Sequence, residues 1–446
     1  MEAPFTNIHA HIFTARHAPD YFLKTAIPTS KLPSWLSTKI ATKVDELIQR
    51  KGSRQVLQML DWIFRIISPD YRDTAERYVE FIKMGISSTQ KEIFDDLAQA
   101  HMKFPNYRIV VLTQVLDYLD LEQQSNHIKI QTQVDQVCEL KRNALYQQHI
   151  YPFLGLDARM NGVDLLEDWV KKYISKDKGF CGIKIYPAAG YFPFDVRFDK
   201  VWEWAEKNNI PVMTHCTRGG SFYLGRFDSI VSSGGLDVAS LNEDSPSMKN
   251  IRERITALFN DKSIQKNNHV WCNIFGHPEN YRPVLEKYPN LKICLAHLGG
   301  SNEVIRKYDP LNKAIKSIIY PSYFQDNWYE LVIDLMRDFK NVYSDISYTL
   351  SDKTAIEYIV KDFVNNGIAD GNKLLNKLMY GTDFYLTLQE TKGDEPGMQK
   401  QFFTYFKADA ATLLTKNNPD IFLSNLVHDD PPKQAAVITD DMEGLA

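Results

Sequence analysis

Two histidines stand one residue apart in Asn7-Ile8-His9-Ala10-His11, inside an otherwise apolar run. In an extended strand residues i and i+2 face the same side, so both imidazoles point one way. Two neutral imidazoles held like this suit zinc or a similar borderline divalent ion. The pair alone is weak evidence, because two histidines near a chain start are as readily packed or solvated to no purpose. Further residues of the same kind follow. Met213-Thr214-His215, Leu295-Ala296-His297 and Tyr380-Gly381-Thr382-Asp383 each set a ligand-competent side chain at or just past the end of a short apolar run, and Lys184 lies within a fourth run, Gly182-Ile183-Lys184. Any one of these histidines is more commonly a hydrogen-bonded core or rim residue, but the repeated placement favours a shared site.

A site of that kind needs elements that bring distant residues together. Eight short apolar runs fit buried parallel strands: Phe5–His11, Arg108–Thr113, Tyr151–Asp157, Gly182–Tyr186, Pro211–His215, Lys292–His297, Asn341–Asp345 and Leu378–Thr382. Stretches with helical spacing separate them, the βαβα order of an α/β fold. The runs lack polar alternation, as expected where side chains fill one face and helices cover the other. Eight such runs predict a (β/α)8 TIM barrel, in which strand C-terminal ends meet at one mouth.

Nearly all of the chain, residues 1–427, reads as that one barrel with two insertions, and residues 428–446 as a tail. The first insertion, about 15–105, looks helical: Val56, Leu60, Ile63, Phe64 and Ile67 keep helical spacing, and Tyr78, Phe81 and Ile82 resume it after Ser68-Pro69. The second, about 216–270, opens on Arg218-Gly219-Gly220-Ser221 and leads to a helix near Met248–Leu258. Both follow strand C-terminal ends, where barrel enzymes carry their chemistry, so both are candidate lids.

Composition narrows the classes of partner. The 446 residues carry a formal net charge of −4 and are 44% apolar, which gives a large core and no basic field to attract nucleic acid or an anionic membrane. The most apolar helical stretch, Val56 to Ile67, is broken by Gln58, Asp61 and Arg65, so no membrane span is expected. The N-terminus lacks the basic flank and apolar stretch of a secretory signal. Five cysteines, Cys138, Cys181, Cys216, Cys272 and Cys294, are odd in number and widely spaced, and read as reduced thiols of a cytoplasmic protein.

The ordered set of motifs resembles the amidohydrolase superfamily, in the branch that includes aminocarboxymuconate semialdehyde decarboxylase. The resemblance rests on His9-Ala10-His11-Ile12-Phe13, Gly179-Phe180-Cys181-Gly182-Ile183-Lys184-Ile185-Tyr186-Pro187 and Pro211-Val212-Met213-Thr214-His215. It continues through Tyr288-Pro289-Asn290-Leu291-Lys292, Leu295-Ala296-His297-Leu298-Gly299-Gly300, Asn341-Val342-Tyr343-Ser344-Asp345 and Gly381-Thr382-Asp383. It implies that His9, His11, His215 and Asp383 ligate the metal. His297 then stands beside them as an acid/base group, or as a ligand in two-metal members. A lysine at the position of Lys184 is carboxylated in two-metal relatives; one ion, most simply Zn2+, is expected here, with Lys184 a substrate-binding or structural residue, and two ions are expected only if Lys184 is carboxylated.

Such an ion lowers the pKa of bound water from about 15.7 to near 7, and Asp383 and His297 can handle the protons. Arg218 and Arg159 are candidate clamps for a substrate carboxylate, although a rim arginine paired with a protein acid is as good a reading of each. The expected function is metal-dependent hydrolysis of a small amide, ester or lactone-like, carboxylate-bearing substrate. The alternative is a decarboxylase or hydratase of the same branch, and a non-catalytic binding barrel ranks below both. A homodimer suits such a barrel.

Overall fold

The computed structural model describes residues 4–19, 84–85, 88–121, 129–160, 163–218, 220–226, 229–230, 245–262, 270–310, 325–366, 373–425 and 427–428. Eight strands run through them: β1 (Thr6–Ala10), β2 (Arg108–Leu112), β3 (Ile150–Leu156), β4 (Gly182–Ile185), β5 (Val212–Thr217), β6 (Ile293–Gly299), β7 (Val342–Asp345) and β8 (Leu378–Met379). Each pairs in parallel with its successor, in sequence order around the sheet. The Ile8 N–H donates to the Tyr380 carbonyl at 2.9 Å and Ala10 bridges Phe384, so β8 returns to β1 and the ring closes as a (β/α)8 barrel. All eight expected runs fall on strands. β8 is shorter than its run, because Thr382 turns its N–H to the His9 carbonyl across the seam.

The strands bury alternate residues on two sides. Ile8, Val110, Leu112, Phe153, Met213, Cys294, Ala296 and Met379 pack as one interior cluster. Their neighbours Ile109, Val111, Leu154, Ile183, Ile185, Val212, Ile293 and Leu295 join the larger cluster shared with the helices. Each such side chain contributes about 1.5–3 kcal/mol by leaving water, so a one-residue register slip would cost the barrel both layers.

The helices between strands are amphipathic and locally capped. Gln90–His101 starts with Thr89 and Glu92 in a reciprocal capping box and buries Ile93, Phe94, Leu97, Ala98 and His101. Trp328–Asp338 starts at Asn327, whose side chain accepts the Glu330 N–H, and buries Trp328, Val332 and Leu335. At the chain's other end Asn418–Leu423 brings Phe422 to 5.3 Å from the Tyr343 ring and pairs Asp420 with Arg108, closing the barrel floor where the strands begin.

The helix expected near Met248–Leu258 is Pro246–Asn260. The helical segments expected at Val56–Ile67 and Tyr78–Ile82, most of the first insertion and the tail beyond His428 lie outside the described residues. Cys138, Cys181, Cys216 and Cys294 are buried free thiols. No described helix is long and apolar enough to cross a membrane.

Candidate metal centre

His9 and His11 leave β1 at the strand's C-terminal end, and Asp383 follows β8 on the other side of the seam. The Thr382 and Asp383 N–H groups both donate to the His9 carbonyl, at 3.3 and 2.9 Å, which locks the two segments together. His9 Nε2 lies 3.2 Å from Asp383 Oδ1 and His11 Nε2 lies 3.3 Å from the same oxygen. All three side chains are buried.

The other ring nitrogens fix the tautomers. His9 Nδ1 is 3.0 Å from Asp345 Oδ2 and His11 Nδ1 is 3.2 Å from the Leu112 carbonyl, so each Nδ1 carries the proton and donates it. Both Nε2 atoms are then lone pairs aimed at a carboxylate oxygen. His9 Nε2 and Asp383 Oδ1 are buried without a hydrogen-bond partner. Three acceptors around one point, with no donor among them, make a place for a cation. Without a cation a proton makes up the charge. Burial works to lower the His9 pKa, but the Asp345 carboxylate bonded to Nδ1 and the Asp383 carboxylate facing Nε2 outweigh it and raise the value above that of an ordinary imidazole. Burial likewise pushes Asp383 upward, yet His11 and His9 hold its carboxyl well below the usual range.

Asp345, at the end of β7, is the hub of this arrangement. Its Oδ2 takes His9 Nδ1, and its Oδ1 takes the His297 N–H at 3.0 Å, the Ser347 N–H at 3.0 Å and the Ser347 hydroxyl. The sequence carried the signal: Asp345 ends an apolar run just as His215 and His297 do, and the same rule selects it. Among the described residues two donor triads lie with their atoms within 4.8 Å of one another, His9–His11–Asp383 and His9–His297–Asp345.

His297 lies near the C-terminal end of β6, in a strained stretch. His297, Leu298 and Asp383 all sit at left-handed φ, 69°, 50° and 63°, a conformation that disfavours side chains with a Cβ and concentrates at functional sites. Gly299 and Gly300 follow at 79° and 95°, and a Cβ on Gly299 would stand 2.6 Å from the Tyr329 nitrogen, so only glycine fits. His297 Nδ1 donates to the Ser347 carbonyl at 3.0 Å, leaving Nε2 to accept from His215 Nδ1 at 3.1 Å. Burial lowers its pKa to about 4, so it is neutral at physiological pH. His215 is therefore one step out from the His9–His11–Asp383 cluster, joined to His297 and packed 4.5 Å from the Tyr186 ring. Gly220, at φ 101°, passes over it; a Cβ there would meet the Tyr186 hydroxyl and stand 3.0 Å from His215 Nε2.

Lys184 on β4 is buried, and its charge acts on His9, His11 and His297, which sets it in the same mouth. Burial lowers its pKa to about 8, against the pull of Asp383 and Asp345. The two arginines are engaged with protein acids. Arg159 is bound through two nitrogens to Asp157, at 2.8 and 2.6 Å, between the rings of Tyr118 and Tyr191. Arg218 lies 3.2 Å from Glu303 and stacks over Trp328, with bonds to Asn273 and the Asp326 carbonyl. A buried guanidinium demands a counter-charge, and in both cases the chain supplies it.

A family model described as amidohydrolase matches residues 89–417. That span holds Lys184, His215, His297, Asp345 and Asp383 but begins after His9 and His11. No curated protein matches the chain. Among solved structures, 5-carboxyvanillate decarboxylase from Novosphingobium aromaticivorans with bound manganese is similar over 94% of this chain and 96% of its own, at 12% identity and TM-score 0.46. The 2,6-dihydroxybenzoate decarboxylase from Rhizobium gives 95% and 98%, 12% identity and 0.43. A probable 2-pyrone-4,6-dicarboxylic acid hydrolase from Acinetobacter baumannii gives 95% and 99%, 13% and 0.42.

Proposed function

The chain belongs to the amidohydrolase family, and from that premise we propose that it is a metal-dependent hydrolase of a small carboxylate-bearing ester, lactone or amide. The observation that carries the reading is the set of three acceptors, His9 Nε2, His11 Nε2 and Asp383 Oδ1, with the nitrogens 3.2 and 3.3 Å from the oxygen and all three atoms within 4.8 Å of one another. Two imidazoles and a carboxylate suit Zn2+, with one position left for water or substrate. His297 and Asp345 stand close enough to His9 to join the shell or orient it. When bound, the ion supplies Lewis acidity, lowering the pKa of water from about 15.7 to near 7 and polarising a carbonyl.

The protein's own groups do the rest. Asp345 holds the His9 ring with its Nε2 lone pair inward. Asp383, kept ionised by His11 and His9, accepts the proton of the attacking water and returns it to the leaving group. His297, neutral above pH about 4, relays through its contact with His215. The Lys184 ammonium, protonated below pH about 8, pairs with the substrate carboxylate.

Lys184 also favours a second reading. A carboxylate drawn to it beside the ion is either a spectator, as in hydrolysis, or the group that leaves as CO2. Chelator-stripped protein, reloaded separately with Zn2+ and Mn2+, separates the readings when assayed on carboxylated esters and lactones by acid release and on aromatic carboxylates by CO2 release. Metal-restored acid release supports hydrolysis. Metal-restored CO2 release with inert esters replaces it by decarboxylation.

A further inference from the structure

Beneath the three acceptors lies a second buried polar group that the proposed chemistry does not use. The register of β1 breaks between Asn7 and Ala10, so the His9 N–H leaves the ladder with β2. The Asn7 side chain takes it: Asn7 Oδ1 accepts the His9 N–H at 3.2 Å and, across the seam, the Thr382 N–H at 3.2 Å. Asn7 Nδ2 donates to Thr382 Oγ1 at 2.8 Å and to Glu395 Oε1 at 3.3 Å. One fully buried amide thus grips the peptide of His9 and the residue just before Asp383.

Such an amide has two orientations, and turned over it would set its NH2 against two N–H donors and its oxygen against a carboxylate. The two N–H groups select one of them on the oxygen side, and on the NH2 side the selection falls to Glu395, 2% exposed in the first turn of the helix Glu395–Tyr405. Its Oε1 also receives Tyr380 Oη and Gln399 Nε2, both at 3.3 Å, and faces His101 Nε2 at 3.3 Å. A buried carboxylate is costly unless such partners meet it.

We propose that Asn7 is a positioning residue of the metal centre, held in its one working orientation by the His9 and Thr382 N–H groups on one side and the buried Glu395 carboxylate on the other. It fixes the spacing of His9 and Asp383 from behind and touches neither the ion nor the substrate. The proposal rests on the metal-site reading above.

The test uses the full chain as wild type, Asn7→Asp, Glu395→Gln and the double variant, with Zn2+ affinity from chelator competition and the visible spectrum of the Co2+ form as readouts. Asn7→Asp sets two carboxylates face to face, and Glu395→Gln removes the charge that the Asn7 NH2 faces, loosening its hold on the His9 peptide and Thr382. Each is expected to weaken Zn2+ binding about 10–100-fold and to shift the Co2+ bands, the scale seen when groups that orient a ligand are changed. The double variant exchanges acid for amide across the same contact, so the new carboxylate accepts both N–H groups and the new amide donates to it; affinity is expected to return to within about threefold of wild type. Single variants with wild-type affinity and spectrum, or a double variant whose losses simply add, overturn the proposal. Should Asn7→Asp fail to fold, as a thermal melt of the metal-free protein reveals, Glu395→Gln decides by itself. A wild type that binds no ion overturns the metal reading, and this proposal with it.

Discussion

His9 can present a bare Nε2 only because Asp345 occupies its Nδ1, and the same carboxylate holds the peptide of His297. Asp345→Asn keeps the volume but no longer demands a donor, so the His9 ring loses its tautomer lock. Chelator competition is expected to show metal binding about 10–100-fold weaker, with the barrel intact by circular dichroism. Lys184 makes a separate expectation. Its protonated form is the one that binds an anion, and burial sets its pKa near 8, so the KM for a carboxylate-bearing substrate should rise above that pH and stay level below it. Lys184→Met should raise KM throughout and abolish the step. At this scale the sequence was legible where a rule of position sufficed: the i, i+2 pair at His9 and His11, and the ends of apolar runs at His297 and Asp383. For Arg159 and Arg218 it left a substrate clamp and a pairing with a protein acid side by side, and the fold supplies the acid, Asp157 two residues away for Arg159 and the distant Glu303 for Arg218.

The elements carry the site through their ends. Eight runs without polar alternation were readable because both faces of a barrel strand are covered, whereas the Asn7–Ala10 irregularity leaves no trace in hydrophobic pattern and emerges only from pairing. At the last residue of β6 the chain needs the left-handed conformation of Gly299 and has no room for a Cβ beside Tyr329. Gly299→Ala is therefore expected to cost about 2–4 kcal/mol in denaturant unfolding, well beyond an ordinary glycine replacement.

The turn after β1, Ala15–His17, sets a pH limit. His17 Nδ1 accepts the Thr14 N–H at 2.9 Å, and burial lowers its pKa from 6.5 to about 4. The folded protein holds this ring neutral while the unfolded chain protonates it, so stability contributed here is present above pH 6.5 and is lost as pH falls toward 4. Wild type should lose of order 2 kcal/mol more than His17→Gln across that window, measured by urea titration at each pH. Equal losses would remove His17 from the account.

For the whole molecule, the donors sit on the two sides of the seam that closes the ring, β1 and β8. An ion bound there joins the first strand to the last, and binding to the folded state alone stabilises by about 2.7 kcal/mol at a hundredfold excess over Kd. Zn2+ or Mn2+ should therefore raise the melting temperature of wild type and leave that of His9→Ala unchanged. Barrel topology was legible in the sequence because strand count and order survive insertion. The first insertion was read as helical; its described part holds the helix Gln90–His101, and the segments Val56–Ile67 and Tyr78–Ile82 lie outside the described residues.

The most direct test is the metal content of the purified chain by elemental analysis, beside a His9→Ala, His11→Ala variant. About one divalent ion per chain in wild type, absent from the variant, is the result expected of a centre with two imidazoles and a carboxylate. A wild type that holds no metal and takes up none from zinc, manganese or cobalt would contradict it.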